Sequence, residues 1–511
     1  MMGAYEEDWT CYAPVQSLGL VCMAIGVAFT IVWLRTSWRF GRNLWNLHRT
    51  GSESISEMRR KQQGLAPITD RSKLPRVSVV LPVKGVHSKT LSNWEHQLAS
   101  THGGKVEFIF CMESRDDPAY SAMKEFRDVS GHAEKIKIVV AGFAFHCSQK
   151  IHNLLEGVKH VSDRSDYVLF LDDDAEMKPA IMQDMIWHLE KDPEVMVVTG
   201  YPHEYVSPRT VGSGVSFAST MLLAYRKMAF LNIALEHPPA LWGGCLMMRR
   251  EELLDPKIGV LTSWKAQGYS DDMIMSGRVQ RNRRKSCHPT TCVLTTEVDP
   301  GYSLKQHLNF VRRQMFVLDT YSDLTDNIGN HIILILVCII TLSLCLSFQL
   351  LSLLAAMRVV QRVSSPPEGG LRFGLDQGQA ACGLFPFPPI LLELLLASVC
   401  IAWHISSFVC EDMVNRTCQY MSQKPDDYYK SKYSLKMHAV CFVGFMFQLF
   451  VQASYAVITL MTDSIVWSGV RYVRKGGKVV QVWRVGNDGK EYTVPAHISM
   501  EKTMTMKSVA E

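Results

Sequence analysis

Apolar and polar positions divide the chain into two kinds of pattern. Long apolar runs occupy Val15–Leu34, Ile332–Met357, Ile390–Val409 and Met437–Met461. Each is long enough for a membrane span, which needs about 20 residues. Between the first run and the second, short apolar segments alternate with amphipathic ones. Arg76–Pro82, Val106–Cys111, Lys135–Ala141, Asp166–Leu171 and Val195–Thr199 read as strands, the fourth as a buried one. Residues 88–99, 118–128, 148–160 and 178–191 carry helical spacing. Strands alternating with helices of this length predict an α/β domain with a mostly parallel sheet, flanked by transmembrane helices. Residues 50–73 are polar and read as a linker, Ser216–Leu235 as an interfacial helix because Arg226 and Lys227 interrupt it, and Val470–Val485 as a hairpin about Lys475-Gly-Gly-Lys478. The segment holding Ser364–Gly370 and Phe385–Pro389, and the lysine-richer segment 411–436, read as loops.

Charge orients this plan. Arg35, Arg39, Arg42 and Arg49 follow the first apolar run directly. By the positive-inside rule they stay in the cytosol, so the run is an anchor and the domain after it is cytosolic. Met1–Asp8 is acidic, unlike the start of a signal peptide. The basic tail (Arg471, Arg474, Lys475, Lys478) favours the cytosol, whereas counting spans sends it to the lumen. One apolar run being re-entrant or interfacial would reconcile the two. The boundaries are therefore 1–49 for N-terminus and anchor, 50–73 for the linker, 74–320 for the catalytic domain, 331–462 for the C-terminal membrane region and 463–511 for the tail. The net charge of +5 over 511 residues does not mark a nucleic-acid binder. The 14 cysteines include no Cys-x-x-Cys pair and are expected as reduced thiols.

The chemistry gathers where strands end. Tyr167-Val-Leu-Phe-Leu171 runs into Asp172-Asp-Asp174. Ligands of open α/β sheets sit beyond the carboxyl ends of the strands. Asp172 and Asp174 face one side of an extended chain and suit Mn²⁺ or Mg²⁺, the Asp-x-Asp pattern of nucleotide-sugar transferases. No Gly-x-Gly-x-x-Gly follows the first strand, which disfavours dinucleotide binding. Asp117-Pro118 follows the second strand and serves equally as a nucleotide contact or as a helix N-cap with Pro at N1. Lys150 opens a helix where a diphosphate can sit, or is a solvated lysine. Asp272 starts a helix, as a general base or as its cap. Arg312, in the amphipathic stretch Leu304–Leu318, either meets a leaving diphosphate or lies on the membrane surface. Trp242 and Cys245, with the methionines beside them, line a lipid groove or pack the core.

The ordered set Leu81-Pro-Val-Lys-Gly85, Glu113–Tyr120, Cys147–Asn153, Phe170–Asp174, Leu241–Cys245, Gly268–Asp272 and Arg312–Leu318 resembles the ceramide glucosyltransferases, the plant-type members most closely. The resemblance spans roughly residues 74–320. It implies a family-A-like nucleotide-sugar transferase fold, UDP-glucose as donor, ceramide from the membrane as acceptor, Mn²⁺ or Mg²⁺ as cofactor, and the cytosolic face of Golgi or endoplasmic reticulum. By position, the family's three aspartates fall on Asp117, Asp172 and Asp272, and the arginine of its Q/R-x-x-R-W signature on Arg312. Asp272 and Arg312 are thereby catalytic. Asp117, Lys150, Asp172 and Pro82 bind the nucleotide sugar, Asp172 and Asp174 the metal, and Trp242 and Cys245 the acceptor. Asn309 and Arg313 depart from that signature. Polysaccharide synthases and polyprenyl-phosphate sugar transferases share the aspartates and are the alternatives.

Overall fold

A computed structural model describes residues 13–64, 73–100, 102–205, 215–228, 230–299, 301–364, 389–422, 435–485 and 491–492. Most of the two proline-rich segments predicted as loop, and much of 411–436, lie outside these residues.

The α/β domain is organised by a seven-stranded sheet in the order β3-β2-β1-β4-β7-β5-β8. Its strands are β1 (Val77–Pro82), β2 (Val106–Met112), β3 (Ile136–Val140), β4 (Tyr167–Leu171), β5 (Val195–Thr199), β7 (Cys245–Arg249) and β8 (Lys285–Cys287). β6 (Tyr201–Tyr205) pairs in parallel with β9 (Val293–Glu297). The first five strands fall where the apolar runs predict them. β4 is buried at every position, as a strand covered on both faces must be. The sheet is mostly parallel, but β7 runs antiparallel between β4 and β5. It carries Cys245, Met247 and Met248 into the core. Most of the methionine-rich stretch is therefore a core strand, and Trp242 just before it stays at the sheet edge.

Helices cover the sheet: α3 (Thr90–Ala99), α4 (Pro118–Val129), α5 (Gln149–Val158) and α6 (Ile181–Lys191), with α7 (Phe217–Met228), α8 (Asp271–Arg281) and α9 (Leu304–Leu318) further on. α1 (Ala13–Thr50) precedes them, and α2 (Ile55–Gln62) forms inside the stretch read as linker. The Asp184 carboxylate on α6 explains that helix: it accepts from the Ile55 and Ser56 N–H groups and from the Thr291 hydroxyl. Burial raises its pKa to about 6, and these donors oppose the rise.

The apolar runs are longer as helices than as hydropathy. After α10 (Leu324–Ile332), a π-helical stretch Ile333–Thr341 leads into α11 (Leu342–Ser364). α12 (Pro389–Tyr420) reaches well into the segment read as loop, and α13 (Leu435–Leu460) follows. Among the described residues, four helical stretches, Pro14–Thr50, Leu324–Gln361, Ile390–Tyr420 and Leu435–Leu460, are long and apolar enough to cross a membrane. α1 and α12 run side by side in one direction, Gly19 facing Leu392 and Gly41 facing Met413. α11 runs against α12: the Cys400 thiol meets Gln349, and Arg358 pairs with Glu393 at 3.6 Å.

The tail is folded. β10 (Ser464–Trp467), β11 (Val470–Lys475), β12 (Lys478–Val485) and β13 (Glu491–Tyr492) form an antiparallel sheet. The predicted hairpin turns at Gly476 and Gly477, whose φ values of 57° and 70° favour glycine. The sheet packs on the α/β domain. Ile465, Val470, Tyr472 and Val479 share an apolar cluster with Tyr269 and Phe316. The Arg474 guanidinium reaches the Phe316 carbonyl at 3.0 Å and Asp319 at 2.7 Å.

Candidate active site

The carboxyl ends of β1 and β4 open into a chamber of about 330 Å³. Its floor holds Pro82, Lys150, Asp172–Asp174 and Asp271–Asp272, and Trp467, Val470 and Tyr472 of the tail close it from above.

Asp172, at the exit of β4, binds Lys150 at 2.9 Å. Lys150 also reaches Asp271 at 3.2 Å and donates to the Gly243 carbonyl at 3.1 Å. The predicted diphosphate lysine is thus held between two carboxylates. Burial alone would lower its pKa, but Asp172 and Asp271 outweigh that and hold the ammonium well above the usual range. Asp271 is buried deeper than Lys150 compensates, and its pKa is pushed up to about 7. Burial also raises Asp172 and, more strongly, Asp173, with the neighbouring acids adding to both. Asp174 is exposed, and among the described residues its carboxylate makes no ion pair or hydrogen bond.

Asp272 is fixed by three donors: the Gly243 N–H at 3.1 Å, the Met273 N–H at 2.8 Å and the Ser270 hydroxyl. Ser270, rather than an aspartate, caps α8. Two glycines leave room for Asp271 and the Trp242 ring. A Cβ on Gly243 would stand 2.8 Å from an Asp271 oxygen, and one on Gly244 only 2.2 Å from the Trp242 ring.

The remaining predicted residues scatter. Asp117 caps α4 through the Ala119 N–H at 2.9 Å and ties down Gly85 at 2.8 Å; it lies beside the chamber, outside its lining. Arg312 donates to the Ser464 carbonyl at 3.2 Å and is likewise outside the lining, whereas Arg313 and Gln314 are in it. Cys245 is fully buried, with its thiol against the Met185 sulfur. Trp242 lines the chamber and also a second, larger cavity.

That cavity, about 530 Å³, is mainly apolar and begins at Trp242 and Asp272. Its lining includes Tyr225, Met315 and Asn330, with Ile333, Val337 and Leu342 of the π-helical stretch and the start of α11. Sequence reasoning missed this cavity and also Tyr269, Asp271, Arg313, Trp467 and Tyr472. Asp271 and Arg313 stand beside residues that were chosen. Trp467 and Tyr472 follow the last apolar run and carry no local signal.

For a divalent cation, the donor set is two carboxylates, Asp172 and Asp174, in a cluster where burial and the neighbouring acids raise the pKa values of Asp172 and Asp173. Among the described residues no group of three His, Cys, Asp or Glu side chains surrounds one point. The set therefore fits Mn²⁺ or Mg²⁺ of the kind that takes one or two carboxylates and completes its shell with water and phosphate oxygens.

A mostly parallel α/β sheet with acids at its strand ends makes a glycosyltransferase-like fold, joined here to helices long and apolar enough to cross a membrane. Residues 44–297 match Glycosyl transferase family 21, and the chain belongs through this catalytic region to that family, the ceramide glucosyltransferases. Among solved structures, the chain is similar to a mannosyltransferase, PcManGT of Pyrobaculum calidifontis, in complex with GDP-Man and Mn²⁺. Identity is 14%, coverage 86% of this chain and 99% of that one, and the TM-score 0.37. It is also similar to a mycobacterial protein at 17% identity, covering 48% of this chain and 74% of that one, with a TM-score of 0.29.

Proposed function

We propose that the protein transfers glucose from UDP-glucose to the primary hydroxyl of ceramide with inversion, releasing UDP. One observation carries this reading: the acid-lined chamber and the apolar cavity meet at Asp272 and Trp242. A charged donor and a lipid acceptor can thus reach one carboxylate from opposite sides.

The nucleotide sugar lies over Pro82 and the ends of β1 and β4, with Asp117 holding the Gly85 loop that borders it. Asp172 and Asp174 would hold the divalent cation, whose charge would offset that of the leaving diphosphate. Asp272, oriented by its three donors, takes the proton from the acceptor hydroxyl. That oxygen forms the new bond to the anomeric carbon. The bond from that carbon to the β-phosphate oxygen breaks, and its electron pair leaves with UDP. Lys150 keeps Asp172 and Asp271 in place and supplies positive charge on the same side.

The membrane arrangement supports an acceptor drawn from the bilayer. Because the tail sheet packs on the α/β domain, both lie on one side, which we take as the cytosol from the arginines after the first apolar run. α11 then crosses and α12 returns. α13 begins beside His404, midway along α12, passes Thr220 of α7 and His307 of α9, and ends near Arg474. It is the interfacial or re-entrant segment.

The test supplies labelled UDP-sugars with ceramide, diacylglycerol or dolichyl phosphate to the purified full-length protein, with and without EDTA, and identifies the lipid product by mass spectrometry. One β-linked hexose on ceramide from UDP-glucose, lost with EDTA and restored by Mn²⁺ or Mg²⁺, is expected. A sugar chain, or transfer only to dolichyl phosphate, would overturn the acceptor assignment.

A further inference from the structure

The signature position assigns the leaving-group cation to Arg312, yet that guanidinium is turned to the Ser464 carbonyl. Four cationic side chains line the acid chamber: Lys84, Lys150, Arg226 and Arg313. Three are already paired, Lys84 with Glu113 at 2.6 Å, Lys150 with Asp172 and Asp271, and Arg226 with Glu204. Among the described residues Arg313 alone of the four has no carboxylate partner. What it has instead is two ring faces: its guanidinium carbon lies 4.5 Å from the centroid of Trp467 and 5.7 Å from that of Phe310. A guanidinium laid flat on a ring keeps its N–H fork free at the edge, where it can take phosphate oxygens in pairs. Asp172 lies close enough to feel the Arg313 charge.

We propose that Arg313 receives the leaving diphosphate, and that Trp467, on the strands that follow the last apolar helix, holds it in position. The proposal rests on the nucleotide-sugar reading above and names the residues that complete that site. It also accounts for the altered signature. The aromatic ring expected at position 313 is replaced by a cation, and an aromatic face returns from position 467. Arg312 then anchors β10, the strand that carries Trp467. The tail becomes part of the active site.

The experiment is calorimetric titration of UDP and of UMP, with Mn²⁺ present, into the full-length protein in lipid nanodiscs. The UDP-to-UMP affinity ratio is the readout, because a cation on the β-phosphate alters it and general loosening does not. R313A is expected to lower that ratio at least tenfold, a charge-assisted contact being worth roughly 1.5–3 kcal/mol. R313K, which keeps the charge without the planar fork, should fall between R313A and wild type. W467A should lower the ratio about threefold, and W467F should recover it, as a lost and restored ring face would. R312A should change it less than R313A does. If R313A leaves the ratio at the wild-type value, or R312A lowers it more than R313A, the inference is overturned while the donor reading stands. A wild-type protein that binds no UDP overturns the donor reading itself.

Discussion

The two cavities that meet at Asp272 are built from different materials. The acid chamber draws on strand ends and helix starts, and its side chains are held by named bonds: Lys150 to two aspartates, and Asp272 to three donors. The apolar cavity is lined by packed side chains, among them Ile333, Val337 and Thr341 of the π-helical stretch. One side is suited to a rigid, highly charged ligand and the other to a flexible chain. Changes in the first should act through charge and geometry, and changes in the second through volume.

Asp272 stands on the boundary, so its removal should stop transfer without emptying either cavity. D272N is expected to lower turnover by about 10²- to 10⁴-fold, the usual worth of a general base. UDP affinity should be kept, because the amide oxygen can still accept the Gly243 N–H. Turnover and UDP binding measured side by side decide the matter. Near-normal turnover would end the assignment of Asp272 as base and move the junction of the two cavities elsewhere.

The same division explains what could be read from the sequence. The chamber floor was legible because each part is local: an apolar run ending in Asp172-Asp-Asp174, and Asp271-Asp272 at a helix start. The expected strands β1, β4 and β5 are present for the same reason, since burial on both faces writes itself as a mostly apolar run, whereas the edge strand β3 leaves Lys137 exposed. β7 was not legible. Its cysteine and methionines look alike whether they line a groove or fill a core, and only its antiparallel position between β4 and β5 decides. The roof was not legible either, because Trp467 and Tyr472 lie roughly 300 residues from the strand ends they cover; the Tyr472 hydroxyl accepts from the Gln149 N–H at 3.2 Å. The apolar cavity combines residues from Phe29 to Gln452. No window of sequence holds such a feature. Arg312 and Arg313 show the limit at one residue's resolution: helical phase and the docking of β10 determine which guanidinium faces the chamber.

A second test concerns how charge is balanced on the polar side. Burial holds the Asp271 pKa near 7, above its ordinary value of about 4. Between those values the folded protein binds a proton that the unfolded chain does not. Asp271 therefore makes stability fall as pH rises from about 4 to about 7, with no further change above. The full effect is on the order of 4 kcal/mol. Denaturation midpoints at several pH values should show that slope in the wild type and a weaker one in D271N. Parallel curves for the two proteins would mean that Lys150 fully compensates Asp271, and that the chamber is better balanced than its burial indicates. Stability changes on the apolar side should show no such pH dependence.

The smallest expected effect comes from filling the apolar cavity. Ile333 lines it at the start of the π-helical stretch and is only partly buried. I333W adds volume to the cavity without placing a charge there and without touching the acid chamber. The Michaelis constant for a long-chain acceptor should rise about tenfold, within the 1–3 kcal/mol that a misfit in an apolar pocket costs. Turnover at saturating acceptor and UDP affinity should stay close to wild type. A shorter-chain acceptor should recover most of the loss, because the added ring takes up volume in the cavity and leaves its junction with the chamber at Trp242 and Asp272 untouched. A loss that is the same for short and long chains would mean that the lipid reaches Asp272 by another route. The two cavities would then be neighbours rather than two halves of one site.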